Sequence, residues 1–219
     1  NIYSAVSADG INWVWEPGIR IDNDDWNFEK IHDTDTHKLG DGTWRMYFSH
    51  DPSGWCIGWA TSPDGMTWTY QGVCLSPGGP YDPYLASDPK VMTYPDGTYR
   101  MIYCGYDSGD GSSYALDAVS DDGIAWTKRN TPLIVERNGG GYSYWQEGCI
   151  VDLGEGKMRM YYQGQADSHL WVLSAVNFRH EQPNLPPVAD IVVYQGAEAV
   201  AGDTVTLEPR VAGDKWQSI

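Results

Sequence analysis

The chain has 219 residues, of which 41% are hydrophobic, and its formal net charge at pH 7 is -16. This acidic balance argues against nucleic acid and against an anionic membrane surface as partners, because both bind through clustered Lys and Arg. No apolar run approaches the length of a transmembrane helix, and the opening residues do not have the pattern of a signal peptide.

From the N-terminus onward, a motif of the form S-x-D-G-x-x-W recurs at nearly constant spacing. A further copy, Leu173–Phe178, keeps the spacing but lacks the turn. Such an internal repeat predicts an architecture built from one repeated unit. The intact copies are Val6–Trp13 (VSADGINW), Thr61–Trp68 (TSPDGMTW) and Val119–Trp126 (VSDDGIAW).

A second motif recurs in phase with the first and consists of a Gly turn followed by alternating aromatic, Arg and Met residues. Its copies are Asp41–Ser49, Asp96–Cys104 and Gly154–Tyr162. Asp-Gly supplies the positive φ that tight hairpins need. Each repeat is therefore predicted to form four short strands, two flanking this turn, a third ending at the S-x-D-G motif and a fourth starting at its Trp.

Four-stranded units of this length predict an all-β fold, a β-propeller of the five-bladed type. Residues 1–180 form the predicted propeller domain, and its first unit begins in mid-blade. Propellers usually have four to eight blades, so the propeller is expected to be incomplete in this chain. Either blades are missing before the N-terminus, or the propeller closes through another chain, which predicts self-association.

Residues 181–219 are predicted to be a linker and a truncated second module. The segment begins with a proline-rich stretch. PPVADI followed by AGDTVTL resembles the opening strands of PKD or related immunoglobulin-like modules of secreted bacterial enzymes. This resemblance implies an extracellular or periplasmic bacterial protein.

The four cysteines have no metal-binding spacing and lie in or beside apolar, β-like runs. Buried free thiols are the favoured interpretation, and one or two disulfides are the alternative. The residues concerned are Cys56, Cys74, Cys104 and Cys149.

Each turn of the second motif is preceded, eight residues earlier, by an acid: Asp33, Asp88 and Glu147. The inner strands of a propeller line its channel, so acids at the starts of successive inner strands are expected to face one pocket. Clustered carboxylates repel one another and lose hydration, which spreads their pKa values apart. This suits glycoside hydrolysis, where one acid is protonated and another ionised. The structural alternative is that each acid caps strand N–H groups or binds a channel cation.

The residues around these acids resemble those of five-bladed propeller glycosidases, glycoside hydrolase families 43 and 32. The resemblance implies that Glu147 is the general acid, that Asp88 orients substrate and tunes the pKa of Glu147, and that Asp33 is the nucleophile or base. The motif HDTDTH around Asp33 departs from the Asn-Asp-Pro type of these families, whose first Asp often lies further upstream. If the first catalytic Asp lies upstream of this chain, Asp33 is instead a subsite residue, and Asp35 is the alternative candidate for that role. The segments that carry the resemblance are Ile57–Thr69, Ser87–Met92 and Gln146–Leu153.

Several neighbours of these acids are predicted to bind sugar. Trp26, Tyr81 and Trp145 are candidates for stacking on sugar rings, and packing between blades is the equal alternative. His32 and Gln146 directly precede acids and are predicted to hydrogen-bond sugar hydroxyls. No cofactor and no catalytic metal are expected. A structural Ca²⁺ in the central channel is the one candidate ion, with His169 as a weak candidate to approach it.

The leading hypothesis is a hydrolase of a neutral plant or microbial polysaccharide or oligosaccharide of the arabinan, xylan or fructan type. A carbohydrate-binding propeller without activity is the alternative. A sialidase is less favoured, because one Arg per blade indicates a structural role between blades and the motif is one residue shorter than a sialidase Asp box. The segment Tyr161–Leu170 also resembles mannoside phosphorylases, but few basic residues are present to hold phosphate. The arginines are Arg45, Arg100 and Arg159.

Overall fold

The computed structural model describes residues 1–51, 54–94, 96–109, 111–133, 145–154, 157–166 and 169–177. All regular secondary structure in these residues is β-strand. No helix among them could span a membrane. The strands are β1 (Ala5–Val6), β2 (Val14–Trp15), β3 (Ile31–Lys38), β4 (Trp44–His50), β5 (Cys56–Ser62), β6 (Thr69–Leu75), β7 (Leu85–Thr93), β8 (Tyr99–Asp107), β9 (Ser112–Ser120), β10 (Thr127–Lys128), β11 (Trp145–Gly154), β12 (Lys157–Ala166) and β13 (His169–Asn177).

The strands form separate antiparallel sheets in which neighbours in sequence are neighbours in space. Blade 1 consists of β3 to β6, blade 2 of β7 to β10, and the described part of blade 3 of β11 to β13. Strands β1 and β2 form a two-stranded N-terminal ribbon. The prediction of an all-β fold built from four-stranded blades is confirmed, and these sheets match an incomplete β-propeller. The predicted module at 181–219 lies outside the described residues.

The hairpin turns form at the Asp-Gly pairs of the second motif, as the sequence predicted. In the β3–β4 turn, Gly42 has a φ of 88°, and the Asp41 carboxylate accepts hydrogen bonds from the backbone N–H and the hydroxyl of Thr43. The turn before β8 repeats this arrangement with Asp96 and Thr98. Local side-chain chemistry therefore sets the start of the second strand in both blades.

Alternate residues of β4 face two different cores, as the pleat of a strand requires. Met46 and Phe48 pack on one side with Ile21 and Phe28. Tyr47 packs on the other side, in the core that blade 1 shares with blade 2. Both faces of β4 are thus buried, and its polar side chains are buried together with its hydrophobic ones. The residues of the core between blades 1 and 2 are Tyr47, Ile57, Leu75, Ala86, Val91, Met101, Tyr103, Leu116 and Ala118.

Arg45 and Tyr47 bind the S-x-D-G turn of blade 2 across the blade boundary. The Arg45 guanidinium donates to the carbonyl of Asp122 at 2.7 Å, and the Tyr47 hydroxyl donates to the carbonyl of Gly123 at 2.7 Å. The predicted inter-blade role is confirmed for Arg45. Arg100 differs, since it forms an ion pair at 2.8 Å with the buried Asp117 of its own blade.

All four cysteines are free thiols. Cys56 and Cys104 are buried and Cys74 is half-buried, as their apolar surroundings predicted. Cys149 is exposed, which corrects the expectation of burial for this residue. It directly follows a β-bulge in β11, and a bulge changes which side chains of a strand point inward.

The contact between blades 1 and 2 predicts the effect of an added methyl group at Gly123. A Cβ at Gly123 would lie 2.3 Å from Nη1 of Arg45 and 2.8 Å from the Tyr47 hydroxyl. Gly123→Ala should therefore lower the free energy of unfolding by about 2–4 kcal/mol, the sum of backbone strain and overpacking.

Gly10→Ala is the matched control, measured in the same denaturant titration. Gly10 occupies the same position of the motif with a similar φ of 74°, and its added Cβ would meet nothing within 4 Å. Backbone strain alone should cost about 1 kcal/mol there. Equal losses in the two variants would contradict the role given to the blade contact.

Candidate active site

Asp33 opens a β-bulge near the start of the inner strand of blade 1. His32 pairs with Ser49, and the next paired residue, Asp35, is opposite Tyr47. Asp33 and the residue after it therefore face a single residue of β4. Such a bulge bends the strand and redirects a side chain, which is why bulges are frequent beside active sites.

The same bulge recurs at the other two acids of the register. In β7 the pairing skips from Ser87 to Lys90, which leaves Asp88 in the first bulge position. In β11 it skips from Gln146 to Cys149, which leaves Glu147 there. The predicted register is thus confirmed for the backbone of all three strands. The Glu147 side chain lies outside the described part of the structure.

Asp33 and Asp88 both have left-handed backbone conformations, with φ values of 52° and 54°. This region costs a non-glycine residue roughly 1–2 kcal/mol, although Asp tolerates it better than most residues. The backbone N–H of Asp88 donates to the Ser49 hydroxyl at 2.9 Å. Pro89, which follows, is fully buried. Neighbouring blades therefore hold the same strained geometry at equivalent positions.

The two bulges bring the carboxyl groups of Asp33 and Asp88 into hydrogen-bonding contact. Ser49 connects them, because its hydroxyl accepts from the Asp88 N–H and also bonds to the Asp33 carboxylate. The Ser87 hydroxyl donates to Asp88 Oδ2 at 2.7 Å. The sequence reasoning did not identify either serine, although both flank the acids in the strand register.

The environment moves the pKa values of the two carboxyl groups in opposite directions. Burial raises the pKa of Asp88 to about 6, and the nearby Asp33 charge adds to the rise against the opposing hydrogen bond from Ser87. Burial alone would raise the pKa of Asp33, but hydrogen bonds from His32, Ser49 and Asp88 outweigh it and lower the pKa. Below a pH of about 6, Asp33 is therefore the ionised partner, and Asp88 is the partner that holds a proton.

His32 and Trp55 lie on the open side of this pair. His32 Nδ1 is hydrogen-bonded to Asp33 Oδ2, which raises the pKa of the imidazole. The imidazole packs against Trp55, with ring centroids 4.5 Å apart, and remains 45% exposed. Sequence reasoning missed Trp55, but its position just before β5 is a usable signal. In an antiparallel blade that position adjoins the start of the inner strand.

Asp35 connects the inner strands of blades 1 and 2. Its Oδ2 accepts from the backbone N–H of Val91 at 2.6 Å and lies 2.9 Å from Nε2 of His37. This carboxylate oxygen is thus engaged within the protein. A contact between Asp35 and sugar stays a prediction.

Trp26 and Tyr81 pack against other aromatic residues. Trp26 stacks on Tyr70 with ring centroids 5.3 Å apart and also contacts Phe28 and Phe48. Tyr81 meets Tyr114 edge to face at 5.2 Å. Both are part of the packing between elements, and their contact with sugar stays a prediction.

The side chains of Trp145, Gln146 and His169 lie outside the described part of the structure. Their predicted contacts with sugar or with a channel cation stay predictions. Among the described residues, no group of three His, Cys, Asp or Glu side chains could hold a metal ion.

Residues 27–145, more than half of the chain, match the family model of the glycosyl hydrolases family 32 N-terminal domain. Both Asp33 and Asp88 lie within the matched segment. No curated protein is significantly similar to the chain in sequence.

Solved structures of glycosidases share the fold at low sequence identity. A family 117 glycoside hydrolase from Zobellia galactanivorans has a TM-score of 0.60 and 17% identity, covering 75% of this chain and 55% of that chain. Fructan 1-exohydrolase IIa from Cichorium intybus has a TM-score of 0.58 and 18% identity, covering 67% and 29% respectively. Sucrose-6-phosphate hydrolase from Lactobacillus gasseri has a TM-score of 0.57 and 17% identity, covering 67% and 31%. The chain thus spans less than two thirds of each of these proteins.

The raised pKa of Asp88 predicts a specific pH dependence of stability. Between about pH 4 and pH 6 the folded state binds more protons than the unfolded state, so Asp88 costs stability as the pH rises through this window. Asp88→Asn removes this titration and keeps a hydrogen-bond donor beside Asp33. Between about pH 4 and pH 7, the free energy of unfolding of Asp88→Asn should rise relative to that of the original chain by on the order of 1–3 kcal/mol.

Denaturant titrations across this pH range measure the difference. Asp121→Asn, at an exposed aspartate away from the site, is the control and should follow the original chain. A difference between Asp88→Asn and the original chain that does not change with pH would contradict the assignment of the proton to Asp88.

Proposed function

This chain belongs to the glycosyl hydrolases family 32 N-terminal domain family, and we propose that it hydrolyses glycosidic bonds with Asp33, Asp88 and Glu147. The observation that carries the proposal is the pair of hydrogen-bonded carboxyl groups whose pKa values move apart. The protonated Asp88 keeps Asp33 ionised, and an ionised carboxylate acting as nucleophile or base is one of the two carboxyl roles that cleavage of a glycoside requires.

In the proposed reaction, Glu147 protonates the oxygen of the leaving group as the glycosidic C–O bond breaks. Asp33, ionised, acts on the opposite face as nucleophile or as base for the attacking water. Water supplies the hydroxyl that ends on the sugar carbon and the proton that returns to the site. Support for the role of Glu147 comes from its backbone, which occupies the same bulge position as the backbones of the two aspartates.

Asp88 has the supporting role in this scheme. Its protonated carboxyl donates to Asp33, which keeps the charge of Asp33 localised and avoids a second negative charge in the pocket. When Asp88 loses its proton above a pH of about 6, the two carboxylates repel each other. The proposed activity should therefore be greatest in mildly acidic solution.

The proposed substrate is a neutral oligosaccharide or polysaccharide of the arabinan, xylan or fructan type. The net charge of -16 disfavours an anionic sugar. Family membership favours fructan within this set, and fructan is the substrate named for the similar protein of Cichorium intybus. His32 and Trp55 would contact the sugar first, since an aromatic face and an imidazole suit the apolar and hydroxyl sides of a ring.

The proposal predicts that Glu147→Gln lowers the rate of hydrolysis by about 10²–10⁴-fold, the typical contribution of a general acid. The assay measures the release of reducing sugar from a panel of levan, inulin, arabinan and xylan. Glu29→Gln, at an exposed glutamate outside the site, should keep the original rate.

Asp33→Asn should reduce the rate at least as much as Glu147→Gln while leaving sugar binding measurable by calorimetry. If the original chain binds glycans from the panel and hydrolyses none of them, the carbohydrate-binding alternative replaces the enzymatic one. Full activity in Glu147→Gln would overturn the assignment of the acid.

A further inference from the structure

The inner strands of blades 1 and 2, β3 and β7, lie side by side but belong to separate sheets, so no backbone ladder joins them. Their relative position along the strand direction therefore depends on contacts made by side chains. This position matters at the site, because a hydrogen bond between two carboxyl groups needs oxygens about 2.5–2.7 Å apart. A shift of β7 along β3 by about 1 Å would separate Asp33 from Asp88.

Two hydrogen bonds set this position, and each involves a charged side chain. The Lys90 ammonium on β7 donates to the carbonyl of Thr34 at 3.4 Å. The Asp35 carboxylate on β3 accepts from the backbone N–H of Val91 at 2.6 Å. Each charged residue thus binds the backbone of the other strand. We call these two hydrogen bonds together the latch.

The latch lies directly beside the two bulges of the site. In β3, Thr34 is the second residue of the bulge that Asp33 opens, and regular pairing resumes at Asp35. In β7, regular pairing resumes at Lys90, directly after the bulge of Asp88. Lys90 therefore binds the second bulge residue of β3, and through it holds the backbone that carries Asp33.

The two charged residues of the latch occupy the same position in neighbouring blades. Asp35 and Lys90 each stand two residues after the register acid of their strand, and the equivalent residue of blade 3 is Cys149. Cys149 is an exposed free thiol, which is only a weak hydrogen-bond donor. The complementary charges thus occur at the boundary where two of the register acids are in contact.

The conformation of Asp33 explains why a strong contact is useful here. Its left-handed backbone, with a φ of 52°, persists only where surrounding contacts hold it. A hydrogen bond from a charged donor is stronger than one from a neutral donor. Lys90 supplies such a bond to the residue that directly follows Asp33.

We propose that Lys90 is a positioning residue, which holds Asp33 against Asp88 by binding the carbonyl of Thr34. Asp35 completes the latch from the other strand. Lys90 acts through the backbone of β3 and is not itself a catalytic group. Its effect on the carboxyl pair does not depend on any activity, whereas its consequence for catalysis rests on the proposed hydrolysis.

Carbon-13 NMR of the aspartate carboxyl groups tests the proposal in Lys90→Met, which removes the ammonium and keeps an apolar side chain. Burial and the charge of Asp33 raise the pKa of Asp88 to about 6. Loss of the latch should lower this pKa toward the ordinary value of about 4. Loss of a nearby positive charge alone would raise it instead, so a fall is specific to a change in position. Asp88→Asn assigns the signal.

Two further variants control for charge and for the donor. Lys38→Met removes the same charge from an exposed position of β3 and should leave the titration of Asp88 unchanged. Lys90→Arg keeps a charged donor and should keep the pKa of Asp88 close to that of the original chain. If Lys90→Met does not fold, Lys90→Gln replaces it, because its shorter side chain ends before the Thr34 carbonyl. An unchanged or raised pKa in the folded variant, or an equal fall in Lys90→Arg, would refute the proposal.

Kinetics connect the latch to the proposed reaction. In Lys90→Met, kcat should fall by up to about 10²-fold with little change in KM, because a displaced carboxylate loses its alignment with the sugar carbon. Lys90→Arg should restore kcat. If the original chain hydrolyses no glycan and Lys90→Met still lowers the pKa of Asp88, the latch is supported and the proposed function fails. An unchanged titration in an active enzyme supports the function and refutes the latch.

Discussion

The hydrogen bond between the carboxyl groups of Asp33 and Asp88 joins two blades near the starts of their inner strands. Two ionised carboxylates in contact repel each other, so the pair is most stable with one proton, which is present below a pH of about 6. Burial assigns the proton to Asp88, and the donors around Asp33 keep that group ionised. The strained backbone of both residues, the placement of Ser49 and the proposed chemistry all depend on this one pair.

The contacts that hold the pair are spread along the boundary between blades 1 and 2. Asp35 binds the backbone of Val91, Arg45 and Tyr47 bind the turn at the far side, and a shared hydrophobic core lies between these contacts. The site therefore belongs to the boundary and to neither blade by itself.

Much of the fold could be predicted because its signals are local. The Asp-Gly turns and the Trp motif fix strand order within each blade through hydrogen bonds between residues only two or three apart. The acid register was predictable for the same reason, since counting from a turn gives a position in a strand. Burial of Cys149 was predicted wrongly, because a bulge that follows from pairing changes the inward and outward alternation.

The sequence by itself determined the repeat, the strand pattern within each blade and the equivalence of Asp33, Asp88 and Glu147, because all three depend on turn chemistry and on counting along one strand. Only the tertiary structure decided that Asp33 and Asp88 touch and that they differ in protonation. It also showed that Ser49, Ser87 and Trp55 surround them, and that Trp26 packs against Tyr70. These properties depend on burial and on contacts between residues of different blades or turns, and neither is encoded in the spacing of residues along a single strand.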